Sequence, residues 1–445
     1  MSNKKGIHFI SLGCPKNRVD AETMLAGLDA QGCQITGNLE EARTVVVNTC
    51  AFVDEAKAES IDTILEMTGL KEEGKLDKVI VTGCLSQRYP EELANEIPEV
   101  DHFVGTNDLG LVTEILDGRT GERISVSDPD RRDFDWDLPR INTMDSHTAY
   151  LKVSEGCSNA CAFCIIPTLR GPQRSRSIES VVAEAEQLAQ NGVVELNLIA
   201  QDLTAYGFDL KPRRNLTHLL QALEEVEGIR WIRLMYAYPR SFPKGLIEQM
   251  AASEKILPYL DMPLQHISDT VLKAMKRGTN GEAIRKRVTE LREKLPNVTL
   301  RTTMLVGYPG ETGEDFEALL EFLREAKFER LGGFAYSHEE GTASYDLPDQ
   351  LPEDLKQNRL ERLMFTQREI SRVHNEALIG REMDVLVERQ SPDSELVWIG
   401  RTASQAPEID GVTYLGNIDG LRAGQIVRAR ITQTNDYDLV GEIII

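Results

Sequence analysis

The sequence lacks long apolar runs and a disulfide framework. No stretch of about 18 apolar residues occurs, which argues against a transmembrane helix. The apolar run after the first five residues ends at Cys14 and is too short for a secretory signal peptide. Cysteine is scarce, and its odd number, seven, does not suggest a set of paired disulfides. We therefore expect no membrane anchorage and a reducing, cytoplasmic location.

Basic residues are fewer than acidic residues. The 445 residues include 50 Lys and Arg against 72 Asp and Glu, a formal net charge of −22. This excess of negative charge disfavours a general affinity for nucleic-acid phosphates and favours a basic partner. Because a single hydrophobic core rarely grows beyond about 250–300 residues, the length predicts two or three domains.

The cysteines that are present include a compact metal-binding pattern. Cys157, Cys161 and Cys164 have C-x3-C-x2-C spacing. A [4Fe–4S] cluster normally takes four thiolates, so three leave one iron open to a substrate or cofactor. A zinc knuckle is the alternative, but the closest histidines, His147 and His218, are too far along the chain to complete it.

Three further cysteines each follow an apolar run near the N-terminus. The runs and their cysteines are 7–13 with Cys14, 45–49 with Cys50 and 79–83 with Cys84. Helices are expected at 20–30, 55–67 and 90–96, and strands alternating with helices predict a parallel sheet. Because the carboxyl ends of parallel strands meet at one edge, the pattern predicts a second three-cysteine cluster site. Three buried structural cysteines are the alternative, and Cys33, which begins a run, is expected to be a spare thiol.

The composition changes at 127–147, where Phe134 and Trp136 lie among Asp and Pro residues. We interpret this segment as a linker that docks through its aromatic side chains. Six strand-then-helix units follow, two short of a closed eight-stranded barrel, and they predict an open partial (β/α)6 barrel. Its strands are expected at 149–153, 193–199, 229–236, 259–264, 299–306 and 331–336, with helices such as 178–190 and 313–326 between them.

Reactive groups of such a barrel belong on the loops after its strands, where Cys157 lies. Gly307 and Gly310 follow the fifth strand and permit close backbone approach to a ligand, with a tight turn as the alternative. His266 also follows a strand, and we assign it no catalytic role.

The last hundred residues predict a long helix and then a small β-barrel. Residues 353–378 are expected to form a bracing helix with a core-facing stripe of Leu355, Leu360, Leu363, Met364 and Ile370. Five short strands, at 383–387, 396–400, 413–415, 426–431 and 439–445, suggest the barrel. The predicted α/β protein thus has an N-terminal parallel-sheet domain (1–126), a linker (127–147), the partial barrel with its helix (148–378) and the small barrel (379–445).

The cysteine loop, with Phe163 before Cys164, resembles that of the radical S-adenosylmethionine (SAM) superfamily. The segments 165–167, 170–171 and 175–176 resemble the methylthiotransferases within it. The resemblance implies a [4Fe–4S] cluster on Cys157, Cys161 and Cys164, with SAM on its open iron beside Phe163 and near Gly307 and Gly310.

The same resemblance implies an auxiliary [4Fe–4S] cluster on Cys14, Cys50 and Cys84 and a C-terminal TRAM domain that recruits the substrate. In the family, one SAM supplies a methyl group and a second supplies a 5′-deoxyadenosyl radical, so no side-chain acid or base stands out as essential. Segments 13–17, 201–207 and 261–269 resemble the methylthiotransferases that act on an aspartate of small-subunit ribosomal protein S-twelve. Arg18 departs from that pattern, since an apolar residue is expected there.

We therefore expect a basic ribosomal protein as the substrate, an electron donor such as a flavodoxin, and no direct tRNA substrate. Residues 380–445 support this, with six Arg, no Lys and eleven acidic residues, a net charge of −5. The alternatives are a methylthiotransferase for tRNA adenosine, a non-catalytic iron–sulfur redox protein, and a ribosome- or RNA-binding module with structural clusters.

Overall fold

A computed structural model describes residues 6–130, 136, 138–240 and 242–444 of the chain. The chain divides into two compact units. The first unit comprises residues 1–143, 154–176 and 339–342, and the second comprises 144–153, 177–338 and 343–445. The predicted α/β class, with an N-terminal parallel sheet, an open six-stranded central sheet and a C-terminal barrel, is confirmed. The domain boundaries given above stay a prediction.

The first unit contains a five-stranded, all-parallel sheet whose strand order follows the sequence. Its strands are β1 (Gly6–Ser11), β2 (Ala42–Thr49), β3 (Lys78–Gly83), β4 (His102–Val104) and β5 (Ile124–Ser125). Residues 45–47 and 79–81 are fully buried because helices cover both faces of a parallel sheet, which is why these strands appear as continuous apolar runs. Strands β4 and β5 were not predicted, since two or three residues are too few to show a period.

Among the described residues, six helices accompany this sheet. They are α1 (Pro15–Ala30), α2 (Asp54–Glu72), α3 (Cys84–Arg88), α4 (Pro90–Glu96), α5 (Leu111–Leu116) and α6 (Ile166–Arg170), and a 3-10 turn spans Leu39–Glu41. Helix α1 begins five residues before the predicted start, because a proline in the first helical turn loses no hydrogen bond. Between the third apolar run and residue 90 no helix was predicted, but α3 begins at Cys84 itself.

The second unit contains a six-stranded parallel sheet in the order β13-β12-β11-β10-β9-β6. Its strands are β6 (Thr148–Lys152), β9 (Glu195–Ile199), β10 (Trp231–Leu234), β11 (Ile256–Asp261), β12 (Thr299–Val306) and β13 (Arg330–Ala335). The predicted strand at 259–264 is displaced toward the C-terminus relative to β11. The strand pairing ends at Asp261 because Pro263, just beyond it, has no N–H to donate.

The helices of this unit pack mainly around the six-stranded sheet. They are α7 (Ile178–Gln190), α8 (Leu216–Glu224), α9 (Leu246–Ala252), α10 (Asp269–Ala274), α11 (Gly281–Lys294), α12 (Gly313–Ala326) and α13 (Glu353–Glu376), with a 3-10 turn at Leu203–Ala205. Helices α7 and α12 have the predicted bounds because Ser177 and Thr312 cap their first turns, Thr312 in a capping box with Asp315. No helix among the described residues is long and apolar enough to span a membrane.

Helix α13 packs on β13 and also contacts the C-terminal barrel. Gly333 allows the close approach, since a Cβ there would lie 2.8 Å from the Met364 sulfur. At the other end Asn375 donates to the carbonyl of Asn435 at 3.1 Å. The prediction that Leu355 faces the core is wrong, because Leu355 is exposed. Lys356 and Arg359 are buried in the first two turns instead, and their ion pairs offset the cost of burial.

The C-terminal strands close into a barrel in the order β14-β15-β16-β18-β17. They are β14 (Glu382–Ser391), β15 (Ser394–Thr402), β16 (Thr413–Gly416), β17 (Ile426–Thr434) and β18 (Leu439–Ile443). The core of the barrel is formed by Val385, Val387, Leu415, Leu421 and Ala429, all buried. Alternation of these residues with polar ones along the strands is the pattern that predicted the barrel.

Candidate metal and cofactor sites

Cys14, Cys50 and Cys84, here called the auxiliary group, follow the ends of β1, β2 and β3 in the first unit. Cys50 and Cys84 are buried and Cys14 is exposed. Gly13 brings the first loop against the second: its φ is +87°, and a Cβ at this position would lie 3.0 Å from the Cys50 sulfur. The parallel sheet therefore delivers the loops that carry these thiols to one edge.

The electrostatics of the auxiliary group suit a shared metal centre. Burial, opposed by the Arg170 guanidinium and reinforced by the nearby Cys50 and Cys14 thiols, raises the pKa of the Cys84 thiol to about 12. Burial also raises the pKa of Cys50, with a further contribution from Cys14. The two buried thiols, Cys50 and Cys84, resist ionising, and a bound metal would compensate the negative charge of their thiolates. The group thus fits a cluster with three cysteine ligands.

Polar side chains hold the three loops of the auxiliary group in place. Asn17 donates to the carbonyls of Leu12 at 3.0 Å and Thr49 at 2.7 Å, joining the first two loops. Within the described part of the chain, Asn48 Oδ1 and Ser86 Oγ are buried without a hydrogen-bond partner. Buried polar atoms without partners next to a cysteine group indicate that a further ligand belongs there.

Cys157, Cys161 and Cys164, here called the loop group, also belong to the first unit. Their loop is closed at its base by a short antiparallel pair, β7 (Ser154–Glu155) and β8 (Arg174–Ser175). The Cys157 N–H donates to the Gly171 carbonyl at 3.0 Å, and the Cys164 N–H donates to the Cys161 carbonyl at 3.1 Å. All three cysteines are partly exposed, as an open metal position requires.

Phe163 lies between the last two cysteines of the loop group and is half-buried. The backbone at the start of the loop admits only glycine. Gly156 has a φ of +76°, and a Cβ there would lie between 2.4 and 2.8 Å from the carbonyl oxygens of residues 170–172. The loop is therefore tightly folded where it enters and leaves, and its cysteines project from that base.

Gly307 and Gly310 lie in the second unit, on the loop after β12. Both have positive φ, +77° and +79°. A Cβ on Gly307 would lie 2.5 Å from Lys356 Cγ, so packing alone explains this glycine, whereas a Cβ on Gly310 would meet nothing within 4 Å. The turn interpretation accounts for Gly307, and the open space at Gly310 leaves room for a ligand. The SAM contacts of both residues stay a prediction.

Glu311 makes this glycine loop rigid. Its carboxylate accepts the N–H groups of Gly307 at 2.7 Å and Tyr308 at 3.1 Å and pairs with Arg359 at 2.8 Å. Burial nonetheless raises the pKa of Glu311. The His266 ring lies 4.0 Å from the same carboxylate, and its Nδ1 accepts the N–H of Ser268 at 3.0 Å. These contacts shape the loop, and none of them requires His266 to move a proton.

A further set of ligand-type residues occurs in the second unit. Atoms of Asp145, His147 and Glu388 lie within 4.8 Å of one another. Arg401 already pairs with Glu388 at 2.6 Å, and Arg389 lies 3.5 Å from Asp145. Because these guanidinium charges offset both carboxylates, the set forms part of an ion-pair network.

Arg170 is the main residue that sequence reasoning did not place at a site. It was used only as a part of a family motif, yet the structure sets its guanidinium 3.6 Å from the Cys84 sulfur. No local pattern could have indicated this, because the two residues lie 86 positions apart. Asn17 was likewise quoted only as part of a motif, and its contacts follow from the fold.

Comparison with known proteins identifies three segments. Residues 6–105 match the uncharacterized protein family UPF0004, residues 151–323 match the radical SAM superfamily, and residues 379–444 match the TRAM domain. The first two segments contain the auxiliary group and the loop group, respectively.

Among solved structures, the radical SAM methyltransferase TsrM from Kitasatospora setae, with cobalamin and a [4Fe–4S] cluster bound, superposes with a TM-score of 0.56. It is 16% identical and covers 75% of this chain and 75% of its own. The cobalamin-dependent SAM radical enzyme OxsB has a TM-score of 0.51 at 14% identity, covering 82% of this chain and 56% of its own. These likenesses establish the fold.

Much more similar relatives span the entire chain. The ribosomal protein uS12 methylthiotransferase RimO of Myxococcus xanthus is 53% identical over 441 residues, 99% of this chain and 92% of the relative. The RimO protein of Geobacter sulfurreducens is 49% identical, and the match covers 100% of both chains. Identity at this level over the whole length, with both cysteine groups in place, shows that the chain belongs to the ribosomal protein uS12 methylthiotransferase (RimO) family.

Proposed function

We propose that this chain is a radical SAM enzyme that methylthiolates the β-carbon of an aspartate in uS12, the S-twelve protein of the small ribosomal subunit. One observation carries the proposal: a single compact unit holds two separate three-cysteine groups. An electron carrier would need only protected clusters, and the partly exposed loop group is instead suited to a cluster with an open ligand position.

The cysteines have distinct roles in this proposal. Cys157, Cys161 and Cys164 hold the [4Fe–4S] cluster that binds SAM beside Phe163, with Gly307 and Gly310 at the SAM site. Cys14, Cys50 and Cys84 hold the auxiliary [4Fe–4S] cluster. When bound, these groups supply radical cleavage of SAM and the sulfur that is methylated. The chain's own residues bind and orient: the base of the loop and the edge of the parallel sheet fix the positions of the ligands.

The domains and the other partners complete the proposal. Residues 1–126 serve the auxiliary cluster, 148–378 the SAM cluster and 379–445 the substrate, with 127–147 as the linker. The linker was expected to dock through Phe134 and Trp136. The Trp136 ring lies 5.7 Å from the Arg176 guanidinium, and Phe134 lies outside the described residues.

A one-electron donor such as a flavodoxin reduces the clusters, and the enzyme acts in the cytoplasm.

Charge supports a protein substrate over tRNA. The C-terminal barrel carries few cations, and several of them are already paired. Arg428 bonds to Asp384 at 3.1 Å, Arg430 bonds to Glu382 at 2.8 Å, and Arg401 is buried. Asp393, Glu395, Asp419 and other acidic residues remain on the surface. A basic ribosomal protein complements such a surface, whereas the phosphates of tRNA would be repelled.

The test is mass spectrometry of uS12 and of tRNA from cells with and without this chain. We expect the methylthio mass shift of the uS12 aspartate to disappear with the chain and the modification of tRNA adenosine to persist. Loss of the methylthio group from tRNA adenosine, with uS12 unchanged, would overturn the assignment.

A further inference from the structure

We propose that Arg170 is a positioning residue that joins the two cysteine groups and raises the reduction potential of the auxiliary cluster through its hydrogen bond to the Cys84 sulfur. The inference rests on the proposed function in one respect, because it assumes that Cys14, Cys50 and Cys84 hold a cluster. All the residues that carry it belong to the first unit.

The guanidinium of Arg170 is fixed on both of its terminal nitrogens. The side chain is 2% exposed and ends helix α6. Its Nη1 pairs with Asp20 at 2.9 Å and with Glu155 at 3.1 Å. Its Nη2 donates to Asn17 Oδ1 at 2.6 Å and to the Cys84 sulfur at 3.6 Å. Two carboxylates on one nitrogen and an amide on the other leave the planar group with little freedom to turn.

The contacts of Arg170 hold one of its nitrogens in a fixed position facing the Cys84 sulfur, which a positive charge merely near a thiol would not require. A buried guanidinium paired only with carboxylates would be a structural ion pair. Here the carboxylates hold Nη1, so that Nη2 points toward Cys84. Asn17, which also joins the first two loops of the auxiliary group, shares the same Nη2. Hydrogen bonds to cluster sulfurs stabilise the added electron and are one of the means by which a protein sets the reduction potential.

Arg170 also belongs to the base of the loop that carries the other cysteine group. Glu155, its partner, lies two residues before Cys157, and Arg170 lies six residues after Cys164. The Arg170–Glu155 ion pair therefore spans the loop from one end to the other, beside the pairing of β7 with β8. A second arginine, Arg174, donates to the Arg170 carbonyl at 3.1 Å and holds the backbone there. One side chain thus contacts the auxiliary group and closes the loop of the other group.

The experiment separates the clusters before it changes Arg170. Replacing Cys157, Cys161 and Cys164 with Ala leaves a protein whose only cluster is the auxiliary one, and its reduction potential is measured by titration followed by electron paramagnetic resonance. In this protein Arg170→Met should shift the potential to a more negative value, because the donor to the cluster sulfur is lost. Arg170→Lys keeps the positive charge but lacks the two terminal nitrogens of the planar guanidinium. The reduction potential should therefore shift in the same direction as in Arg170→Met, but by less.

A matched control is available in the same unit. Arg123 is half-buried and donates to the carbonyls of Val100 and Ile97. Arg123→Met removes a comparable guanidinium and should leave the potential of the auxiliary cluster unchanged. Iron content is measured for every variant, so that a change of potential is not confused with loss of the cluster.

The outcomes are distinguishable. If Arg170→Met keeps its iron and the potential does not move, the inference fails. If Arg170→Met cannot retain iron, Arg170→Lys decides: an iron-loaded protein with the unaltered potential overturns the inference, and a negative shift supports it. If the protein with intact Arg170 and only Cys14, Cys50 and Cys84 binds no iron, the assignment of the auxiliary cluster in the proposed function fails as well.

Discussion

At the scale of single residues, the two cysteine groups lie in different surroundings. The auxiliary group is mostly buried beside a guanidinium, whereas the loop group is partly exposed. Replacing either set of three with Ala should leave about half of the iron, since each set serves one cluster. Only the loss of Cys157, Cys161 and Cys164 should abolish SAM cleavage, which is measured as release of 5′-deoxyadenosine.

The control for this prediction is Cys33. It is partly buried against the core that includes Ile7, Met24 and Leu28, so Cys33→Ala should change neither iron nor SAM cleavage. If either triple variant kept its full iron content, the ligand assignment of that group would be wrong.

His266 is a residue whose burial predicts a pH dependence. Burial lowers its pKa to about 4, and within the described ranges its Nε2 has no hydrogen-bond partner. The folded protein therefore keeps the ring neutral while the unfolded chain binds a proton below about pH 6.5. The unfolded state then holds more protons, so the free energy of unfolding should fall as the pH drops from about 6.5 to about 4.

The pH effect is isolated with His266→Asn, whose side-chain oxygen can still accept the Ser268 N–H. The difference in unfolding free energy between the two proteins should be constant above about pH 6.5 and move in favour of the variant below it. His218→Gln, at an exposed position, is the control for the removal of a histidine side chain. A difference that does not vary with pH would contradict the prediction.

At the scale of elements, a buried ion network joins the six-stranded sheet to the C-terminal barrel within the second unit. Glu195 on β9 pairs with Arg233 on β10 at 3.0 Å and with Arg401 on β15 at 2.5 Å. Burial alone would raise the pKa of Glu195, but the two guanidinium groups hold it at about 2. The carboxylate is therefore charged throughout the physiological range, and it is the common partner of two buried arginines.

Glu195→Gln should destabilise this unit by roughly 3–5 kcal/mol, because it leaves the buried Arg233 guanidinium without its carboxylate and leaves Arg401 with Glu388 alone. Urea unfolding followed by tryptophan fluorescence measures the effect, since Trp231 and Trp398 lie on β10 and β15. The control, Glu248→Gln, removes a solvent-exposed pair with Lys294 and should have a much smaller effect on stability. If both variants lowered the free energy of unfolding equally, the buried network would not stabilise the second unit more than an exposed ion pair does.

At the scale of the whole molecule, the charge of −22 constrains the choice of substrate. Complementary charge accelerates encounter with a basic protein, and salt screens it over a length of about 8 Å at physiological ionic strength. Affinity for isolated uS12 should therefore fall as salt rises. Replacing the exposed Asp393, Glu395 and Asp419 with neutral amides should weaken binding at low salt and make it less sensitive to salt. Binding that is independent of salt, or stronger binding to tRNA, would be evidence against the acidic surface as the recruiting surface.

The elements with a clear apolar period and both cysteine groups could be predicted from the sequence alone. Apolar runs and helical periods are local, so β12, α7 and α12 have the predicted bounds, and the cysteines could be found because each follows a run or sits in a short motif. Short strands such as β4 and β5 carry too few residues for a period. In α13 only Leu355 was misjudged, and Arg359 is buried near the start of the helix because Glu311, 48 positions away, pairs with it.

The side chains that surround the sulfurs, and those that join the barrel to the six-stranded sheet, depend on the tertiary fold. Arg170 reaches Cys84 across 86 positions, and Arg401 reaches Glu195 across 206. No local pattern encodes such pairs, because a buried charge is stable wherever the fold supplies a counter-charge, whatever its distance along the chain. The spacing of the cysteines can therefore be recognised in the sequence. The polar groups around their sulfurs come together only when the parallel sheet brings its loops to one edge.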